Sequence, residues 1–406
     1  MDSLITAAAR AMAAGDVLGA LKRVALREDP AALALRGIAM ARLGDFTRAR
    51  AHLKAAQAGF GPAQAISRAR CAVALAEIDL AARDLAASAK DLDQARAVLE
   101  RGGDGVNAAH AGHLQVRRLV LIGRLKEAEA ILGDLNPAHL PLPYRAAHEL
   151  VVAALEVRRL RARAALEAVA RAEAAARQAR SSVLLAEAEH AREGLLRPAA
   201  NLVRHGQGRA ATLEEVEALL TTDAIVVDAC RRVVQGGGAS VSLAARPVLM
   251  ALARGLAKAW PREATRSELL ITAFGARQAD DSHRARLRVE IGRLRAELSG
   301  LCEIVATPGG YALAPSGGRE AVLLDPPQDG PHASLMAVLS DGEAWSSSGL
   351  ALVLGKGQRS VQRGLEALAR VGKVQAHGAG RTLRWVAPPV PGFPTALLLM
   401  PHAGSV

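Results

Sequence analysis

Cysteine is scarce in this chain of 406 residues, which contains only three. Cys71, Cys230 and Cys302 are odd in number, lie far apart and show no C-x-x-C spacing. Such a set does not predict a disulfide framework. A reducing compartment is the simplest setting, and we expect a cytoplasmic location.

Long apolar runs are absent as well. No stretch approaches the ~20 apolar residues that a membrane-spanning helix needs, and the longest candidate, residues 396–400, is short. The N-terminal segment carries Arg10 and Asp16, and it predicts a small-residue helix rather than a targeting signal. We therefore expect no membrane partner.

Motifs typical of enzymes are missing or incomplete. Residues 355–358, Gly-Lys-Gly-Gln, lack the glycine spacing of a phosphate-binding loop. The His110-x-x-His113 pair lacks a third metal ligand. No serine and histidine are spaced in a way that suggests a nucleophile and its base. The sequence predicts no enzyme activity, no cofactor and no metal.

Charge of both signs is present, with an excess of basic residues. Charged residues make up 23% of the chain and apolar residues 50%, which is typical of a globular protein. The net charge of +12 favours a polyanionic partner, although an arginine-rich composition alone also produces such an excess. The net charge alone does not identify a polyanionic partner, so a motif is needed as well.

That motif is an arginine-rich helix followed by a hairpin, in residues 280–313. An apolar stripe at helical spacing consists of Leu287, Ile291, Leu294 and Leu298. The other faces carry arginines between small residues, so that the helix could approach a groove closely. Residues 302–307 and 311–313 predict two strands about the turn at 308–310. A solvated arginine face is the alternative for the helix alone, but the adjoining hairpin favours nucleic-acid binding.

The residues upstream extend this pattern. Residues 224–243 predict two strands around three glycines, and residues 247–256 and 266–274 predict helices. Four motifs follow in order: Leu243-Ala244-Ala245-Arg246-Pro247, Arg266-Ser267-Glu268-Leu269, Val289-Glu290-Ile291-Gly292-Arg293-Leu294-Arg295 and Thr307-Pro308-Gly309-Gly310-Tyr311-Ala312-Leu313. This order resembles the OmpR/PhoB-type winged-helix DNA-binding domain of response regulators, over roughly residues 223–315. The first motif lacks the family's usual Thr and Glu, and the loop at 275–280 is this chain's own.

The resemblance implies which residues face DNA. They are Arg284, Arg286, Arg288, Glu290, Arg293, Gly309 and Gly310. Arg286, Glu290 and Arg293 would lie toward base edges or nearby phosphates, and Arg284 and Arg288 toward the phosphate backbone. Arginine bidentate to guanine is the commonest specific pairing. Glu290 would either accept from a cytosine or orient a neighbouring arginine, and we favour the orienting role.

Residues 1–195 differ in character, because nearly all of them are helix-forming and turns recur. Residues 33–62 resemble a tetratricopeptide repeat, with Gly37 at the small crossing position and Gly44 at the turn. The period along the chain is irregular. Phe, Trp and Tyr make up only 2% of the chain, and Leu, Val or Met occupy most of the usual aromatic positions. A generic helical bundle is the alternative, and both architectures predict binding of a protein partner or self-association.

Residues 332–388 predict a second module of three helices and a hairpin, whose third helix has the core stripe Val361, Leu365 and Leu368. The segment resembles the recognition helix and wing of compact MarR-like or GntR-like winged helices. The resemblance places on DNA Gln358, Arg359, Ser360, Gln362, Arg363 and, at the wing tip, Arg381. A winged helix used for protein contact or dimerisation is the alternative.

Three segments are predicted to lie outside these domains. Residues 196–222 contain a proline and two glycines before an acidic helix, so they predict a linker and a packing helix. Residues 316–331 predict a second linker. Residues 389–406 predict a proline-punctuated apolar tail.

Together the patterns predict a mainly α protein with small β-hairpins, in which an N-terminal helical repeat array precedes two winged-helix α+β domains. The expected function is sequence-specific regulation of transcription. The expected partners are double-stranded DNA and, through residues 1–195, a protein or a second copy. The N-terminus lacks the alternating βα pattern of a phosphoacceptor domain, so the input should come through the array. The alternative is an interaction scaffold whose winged helices contact proteins.

Overall fold

The computed structural model describes residues 3–82, 84–85, 89–274, 281–326, 332–339 and 344–386. These residues are mainly helical, with three small sheets among them, which confirms the predicted mainly α class. The chain divides into two compact units. The first combines residues 1–159 and 163–194 with residues from 338 onward, and the second consists of 160–162 and 195–337.

Helices occupy nearly all of the described chain up to residue 196. They are α1 (Ser3–Ala13), α2 (Val17–Val24), α3 (Pro30–Arg42), α4 (Phe46–Gly59), α5 (Ala65–Ala81), α6 (Ala89–Arg101), α7 (Gly105–Ile122), α8 (Leu125–Gly133), α9 (Leu142–Arg158), α10 (Ala162–Gln178) and α11 (Ser182–Leu196). Among the described residues, no helix is both long enough and apolar enough to cross a membrane.

A glycine followed by an aspartate joins several of these helices. Gly44 has a φ of +83°, which favours glycine, and it ends α3. Asp45 then accepts a hydrogen bond from the backbone N–H of Arg48 at 3.0 Å, which caps α4. The same pair recurs at Gly103 and Asp104, before α7, where the sequence analysis names no turn.

Small residues let consecutive helices pack closely. Gly37 of α3 faces α4, and a Cβ placed on it would lie 2.6 Å from the Cγ atom of Leu53 and 3.1 Å from the carbonyl oxygen of Ala49. Ala49 and Leu53 are themselves fully buried. The predicted crossing position of Gly37 is therefore confirmed as a point of close helix contact.

Two pairs of buried polar side chains join α7 to its neighbours. His110 Nε2 lies 3.0 Å from Glu77 Oε2 of α5, and His113 Nε2 lies 3.0 Å from His148 Nδ1 of α9. Burial lowers the pKa of His113 well below its usual value, with smaller contributions from nearby His110 and His148. Burial also lowers the pKa of His148. Within the described part of the chain, no group of three or more His, Cys, Asp and Glu residues is placed to hold a metal ion.

The second unit contains two sheets and four helices among its described residues up to 326. Its elements are β1 (Ala200–Arg204), β2 (Gln207–Ala211), α12 (Leu213–Leu220), β3 (Ile225–Asp228), β4 (Val233–Gly236), β5 (Ala239–Ser242), α13 (Pro247–Ala259), β6 (Ala264–Thr265), α14 (Arg266–Phe274), α15 (Asp281–Leu298), β7 (Cys302–Ala306), β8 (Gly310–Pro315) and β9 (Ala321–Asp325). The predicted pair of strands at 224–243 is in fact three, β3 to β5.

Strand β9 lies inside the larger sheet, whose order is β2-β1-β9-β3-β4-β5. It pairs antiparallel with β1 and parallel with β3. All five of its residues are buried. A strand covered on both faces needs a nearly continuous apolar run, and Ala-Val-Leu-Leu supplies one before the closing aspartate.

The predicted linker at 316–331 is therefore wrong over residues 321–325. The predicted linker within 196–222 is also wrong over residues 200–211, because β1 and β2 form a hairpin of the same sheet; the acidic packing helix predicted there is present as α12, which packs against the sheet. The glycines that suggested linkers lie in tight turns, as at Gly206 with a φ of +78° and Gly317 with a φ of +71°. Residues 327–331 lie outside the described residues.

The end of β9 also anchors α13. The Asp325 side chain is only 3% exposed, and its Oδ2 atom lies 2.5 Å from Nη2 of Arg254 on α13. Asp228 lies at the matching end of the neighbouring strand β3, where burial raises its pKa. The ion pair between Arg254 and Asp325 ties α13 to the centre of the sheet.

Helices α13, α14 and α15 pack over the smaller sheet, β6-β8-β7. The four residues of the predicted apolar stripe on α15 are all at most 2% exposed, which confirms the stripe: Leu287, Ile291, Leu294 and Leu298. The loop at 275–280 lies outside the described residues.

The last described elements are α16 (Ala333–Leu339), α17 (Ser347–Leu354), α18 (Gln358–Arg370), β10 (Gln375–His377) and β11 (Arg384–Val386). We call residues 344–386 the C-terminal module. The module belongs to the same compact unit as residues 1–159 and 163–194. Helix α17 contacts α7, and Arg384 Nε donates to the carbonyl oxygen of Ala82 at 2.7 Å. The predicted tail at 389–406 lies outside the described residues.

We expect Gly37→Ala to destabilise the protein by ~1–3 kcal/mol, because the added methyl group meets a packed Leu53 and a backbone carbonyl. Gly194→Ala is the matched control within α11. No described atom lies within 4 Å of a Cβ at Gly194, so this change should stabilise the helix by up to ~1 kcal/mol. Urea denaturation measures both. Equal stabilisation by the two changes would show that α3 and α4 are not in close contact.

We also expect the free energy of unfolding to fall as the pH drops from 7.5 to 5.5. The unfolded chain binds protons at His113 and His148 below about pH 6.5, whereas the lowered pKa values keep the folded rings neutral. Each ring contributes up to ~1.4 kcal/mol per pH unit in this window. Replacing both rings by Leu should flatten the dependence, and His139→Gln, at an exposed position, should leave it unchanged. An unaltered slope in the double variant would contradict this assignment.

Candidate nucleic-acid interface

The outer side of α15 is the most basic helical surface of the second unit. Because the leucine and isoleucine stripe faces the core, the arginines predicted to face DNA lie on the remaining sides. Arg284, Arg286, Arg288 and Arg293 are all exposed. Val289 is 54% exposed between them, and Gly292 is exposed with no described atom near the position of a Cβ. We call residues 284, 286, 288, 289, 290, 292 and 293 the α15 face.

Glu290 and Arg293 form an ion pair on the α15 face. Arg293 Nη1 donates to Glu290 Oε1 at 2.8 Å. The Glu290 side chain is 13% exposed, whereas that of Arg293 is 63% exposed. The carboxylate therefore lies beneath the guanidinium group and holds it toward solvent. This arrangement supports the orienting role for Glu290.

The remaining arginines of the α15 face differ in how firmly they are held. The guanidinium carbon of Arg286 lies 4.6 Å from the centre of the Phe274 ring at the end of α14, a cation–π contact. Arg284 forms an exposed ion pair with Asp281 at 3.2 Å. Arg286 is thus directed by a neighbouring helix, and Arg284 only by the first turn of its own helix.

The turn between β7 and β8 lies where the wing is predicted. The Thr307 N–H donates to the Gly310 carbonyl oxygen at 3.0 Å, and the Gly310 N–H donates to Thr307 Oγ1 at 2.9 Å. Gly309 is exposed and Gly310 is buried. A Cβ on Gly310 would lie 1.9 Å from the Ala264 carbonyl oxygen, so this glycine is required for the pairing of β8 with β6.

Arg266, at the start of α14, donates hydrogen bonds to two carbonyl groups of this turn. Its Nη1 atom donates to the Pro308 carbonyl oxygen at 2.7 Å and its Nη2 atom to the Thr307 carbonyl oxygen at 3.1 Å. The helix start is fixed by Glu268, which accepts from the Thr265 N–H at 2.8 Å; that hydrogen bond lowers the pKa of Glu268. Arg266 belongs to one of the family motifs, but no role is predicted for it from the sequence.

Arg295, on the flank of α15, joins the helix to the hairpin. Its Nε atom donates to the Ile304 carbonyl oxygen on β7 at 2.7 Å, and its guanidinium group lies 5.9 Å from the centre of the Tyr311 ring. These contacts fix α15 against both strands. The α15 face and the hairpin turn are therefore rigidly connected.

A second candidate surface lies on α18. Its apolar stripe of Val361, Leu365 and Leu368 is buried, as predicted. The predicted DNA-facing residues of the helix are all exposed, and we call them the α18 face: Gln358, Arg359, Ser360, Gln362 and Arg363. Arg381 lies in the short 3-10 turn Gly380–Thr382, within the hairpin of β10 and β11.

In two places a short extended segment precedes a helix and pairs with the return strand of a hairpin. In the second unit, β6 precedes α14 and pairs antiparallel with β8. In the C-terminal module, Trp345 precedes α17 and bridges antiparallel to Trp385 of β11. In each case the next helix, α15 or α18, leads into that hairpin. Comparison with family models, with curated proteins and with solved structures finds no match to this chain.

Proposed function

We propose that this protein is a cytoplasmic DNA-binding regulator of transcription, with two winged helices on one chain and a helical repeat array that receives the input. The observation that carries the proposal is the α15 face, an exposed arginine surface whose helix is tied to the adjoining hairpin by Arg295, while Arg266 holds the turn of that hairpin. The resemblance to OmpR/PhoB-type domains supports the same assignment.

The chemistry of the α15 face suits the major groove of DNA. A groove about 12 Å wide admits one helix, and arginine recognises guanine through two hydrogen bonds. Arg293 and Arg286 are held in place by Glu290 and Phe274, which lowers the entropy that each loses on binding. Arg284 lies nearest the N-terminal end of these arginines and Arg288 lies between Arg286 and Arg293; contact of both with phosphates would position the helix without reading sequence.

The α18 face is proposed as a second DNA contact. Its three polar and two basic side chains can donate to phosphates and to base edges. Because both faces belong to one chain, binding of one raises the effective concentration of the other. Two weak half-sites could therefore give useful affinity.

The helical array is proposed to bind a protein partner or a second copy. Its Gly-Asp turns and close helix crossings at small residues support a tetratricopeptide-like arrangement. Arrays of this kind expose long surfaces made by successive helices. The identity of that partner would determine which signal the protein receives.

A protein-interaction scaffold is the second candidate function. The observation that favours it is the exposure of Leu352, on α17, and Val371, which follows α18, at 46% and 66% respectively. Exposed apolar side chains beside a weakly basic face suit protein contact better than DNA contact. In that case the α18 face would bind a protein.

A titration of the full chain against random genomic fragments at two salt concentrations tests the proposed function. If about six phosphates are neutralised, the logarithm of the binding constant should fall against the logarithm of salt with a slope of about −5. Fluorescence anisotropy of labelled fragments gives the binding constant at each salt concentration. Absent or salt-insensitive binding would favour the scaffold.

Substitutions on the α15 face should separate sequence reading from phosphate contact. We expect Arg293→Ala to lose ~1–3 kcal/mol of discrimination between target and random DNA. Arg284→Ala should weaken both alike, and Arg209→Ala, on strand β2, should change neither. If Glu290 orients Arg293, adding Glu290→Gln to Arg293→Ala costs no further discrimination. Additive losses would instead give Glu290 a base contact of its own.

A further inference from the structure

Arg384 joins two parts of the first unit that are 302 residues apart in sequence. It lies on β11, and its Nε atom donates to the carbonyl oxygen of Ala82 at 2.7 Å. Ala82 is the C-cap of α5, where the backbone carbonyls carry the negative end of the helix dipole. A guanidinium group is well matched to this position.

Charged groups of the array act on the same guanidinium group. Burial lowers the pKa of Arg384; the nearby Asp84 and Asp79 counter this by favouring its charged form, while the nearby Arg50 adds to the lowering. Asp79 in turn accepts from Arg50 of α4, with Oδ1 lying 2.9 Å from Nε and 2.7 Å from Nη2. Helices α4 and α5 and strand β11 therefore share one network of charges.

The network continues from Arg384 to the start of α18. The next residue, Trp385, exchanges two backbone hydrogen bonds with Trp345, at 2.9 Å and 2.7 Å. Two residues after Trp345, Ser347 Oγ accepts from Gln358 Nε2 at 3.1 Å. Gln358 is the first residue of α18 and part of the α18 face. The path from the array to this face thus consists of hydrogen bonds joined by one or two residues of chain.

We propose that Arg384 couples the carboxyl end of α5 to the α18 face, so that a change in the array alters the order of that face. The coupling is made of ion pairs and single hydrogen bonds, which open more readily than a shared apolar core and weaken with salt. A partner that shifts α5 against α4 would move Asp79 and Ala82, and with them Arg384. Any effect of this coupling on DNA binding rests on the proposed function, whereas the coupling itself does not depend on that function.

Hydrogen–deuterium exchange on the full chain, without DNA, tests the coupling. In Arg384→Gln, amides of residues 345–350, 358–363 and 384–386 should exchange at least fivefold faster. Arg370→Gln is the matched control, since Arg370 is an exposed arginine at the end of α18. It should change these rates less than twofold. Faster exchange at 384–386 alone, with 358–363 unchanged, would overturn the proposal.

A substitution in the array distinguishes coupling from simple unfolding of the C-terminal module. Asp84→Asn leaves the sequence of the module intact and should also speed exchange at 358–363. The charge swap, Arg384→Glu with Asp84→Arg, should return the rates to within threefold of the wild type. Unchanged exchange in Asp84→Asn, or no recovery in the swap, would show that the contact does not transmit. A wild type that fails to bind DNA would remove the proposed function without affecting this outcome.

Discussion

Pairing between a very short extended segment and the return strand of a hairpin sets the geometry of both candidate surfaces. In the second unit, β6 leads directly into α14 and pairs with β8, while α15 leads into β7. The start of α14 and the end of α15 are thereby connected to strands of the same sheet. Gly310 permits this, because any side chain there would meet the Ala264 carbonyl. In the C-terminal module the backbone groups of Trp345 and Trp385 make the corresponding pairing.

Two of the arginines around α15 are bonded to the hairpin, although the sequence shows them as part of one basic cluster. Arg266 and Arg295 donate to backbone carbonyls of the hairpin, and these hydrogen bonds keep the hairpin in place. Arg293 is held outward by Glu290. The net charge of +12 therefore does not measure how many basic groups are available to bind a polyanion. What supports nucleic-acid binding is the arrangement of a few exposed arginines on a rigid helix.

The helical array has few aromatic residues and instead packs small residues closely. Gly37 against Leu53 is the clearest case, since the crossing leaves no room for a methyl group. Polar pairs are buried where α7 meets α5 and α9, and a charged network joins the array to β11. The array is therefore both a packed support and the place where the C-terminal module is attached.

Periodicity determined the apolar stripes of α15 and α18, and the resemblance to a tetratricopeptide repeat implied the turn at Gly44 and the crossing at Gly37. Tertiary structure decided the rest. Residues 321–325 look like part of a linker, because glycines and prolines flank them, and only the gap between β1 and β3 makes them a buried strand. Arg384 and Ala82 carry no mutual signal, since hydrogen bonds between distant segments depend on how the chain folds and not on local pattern.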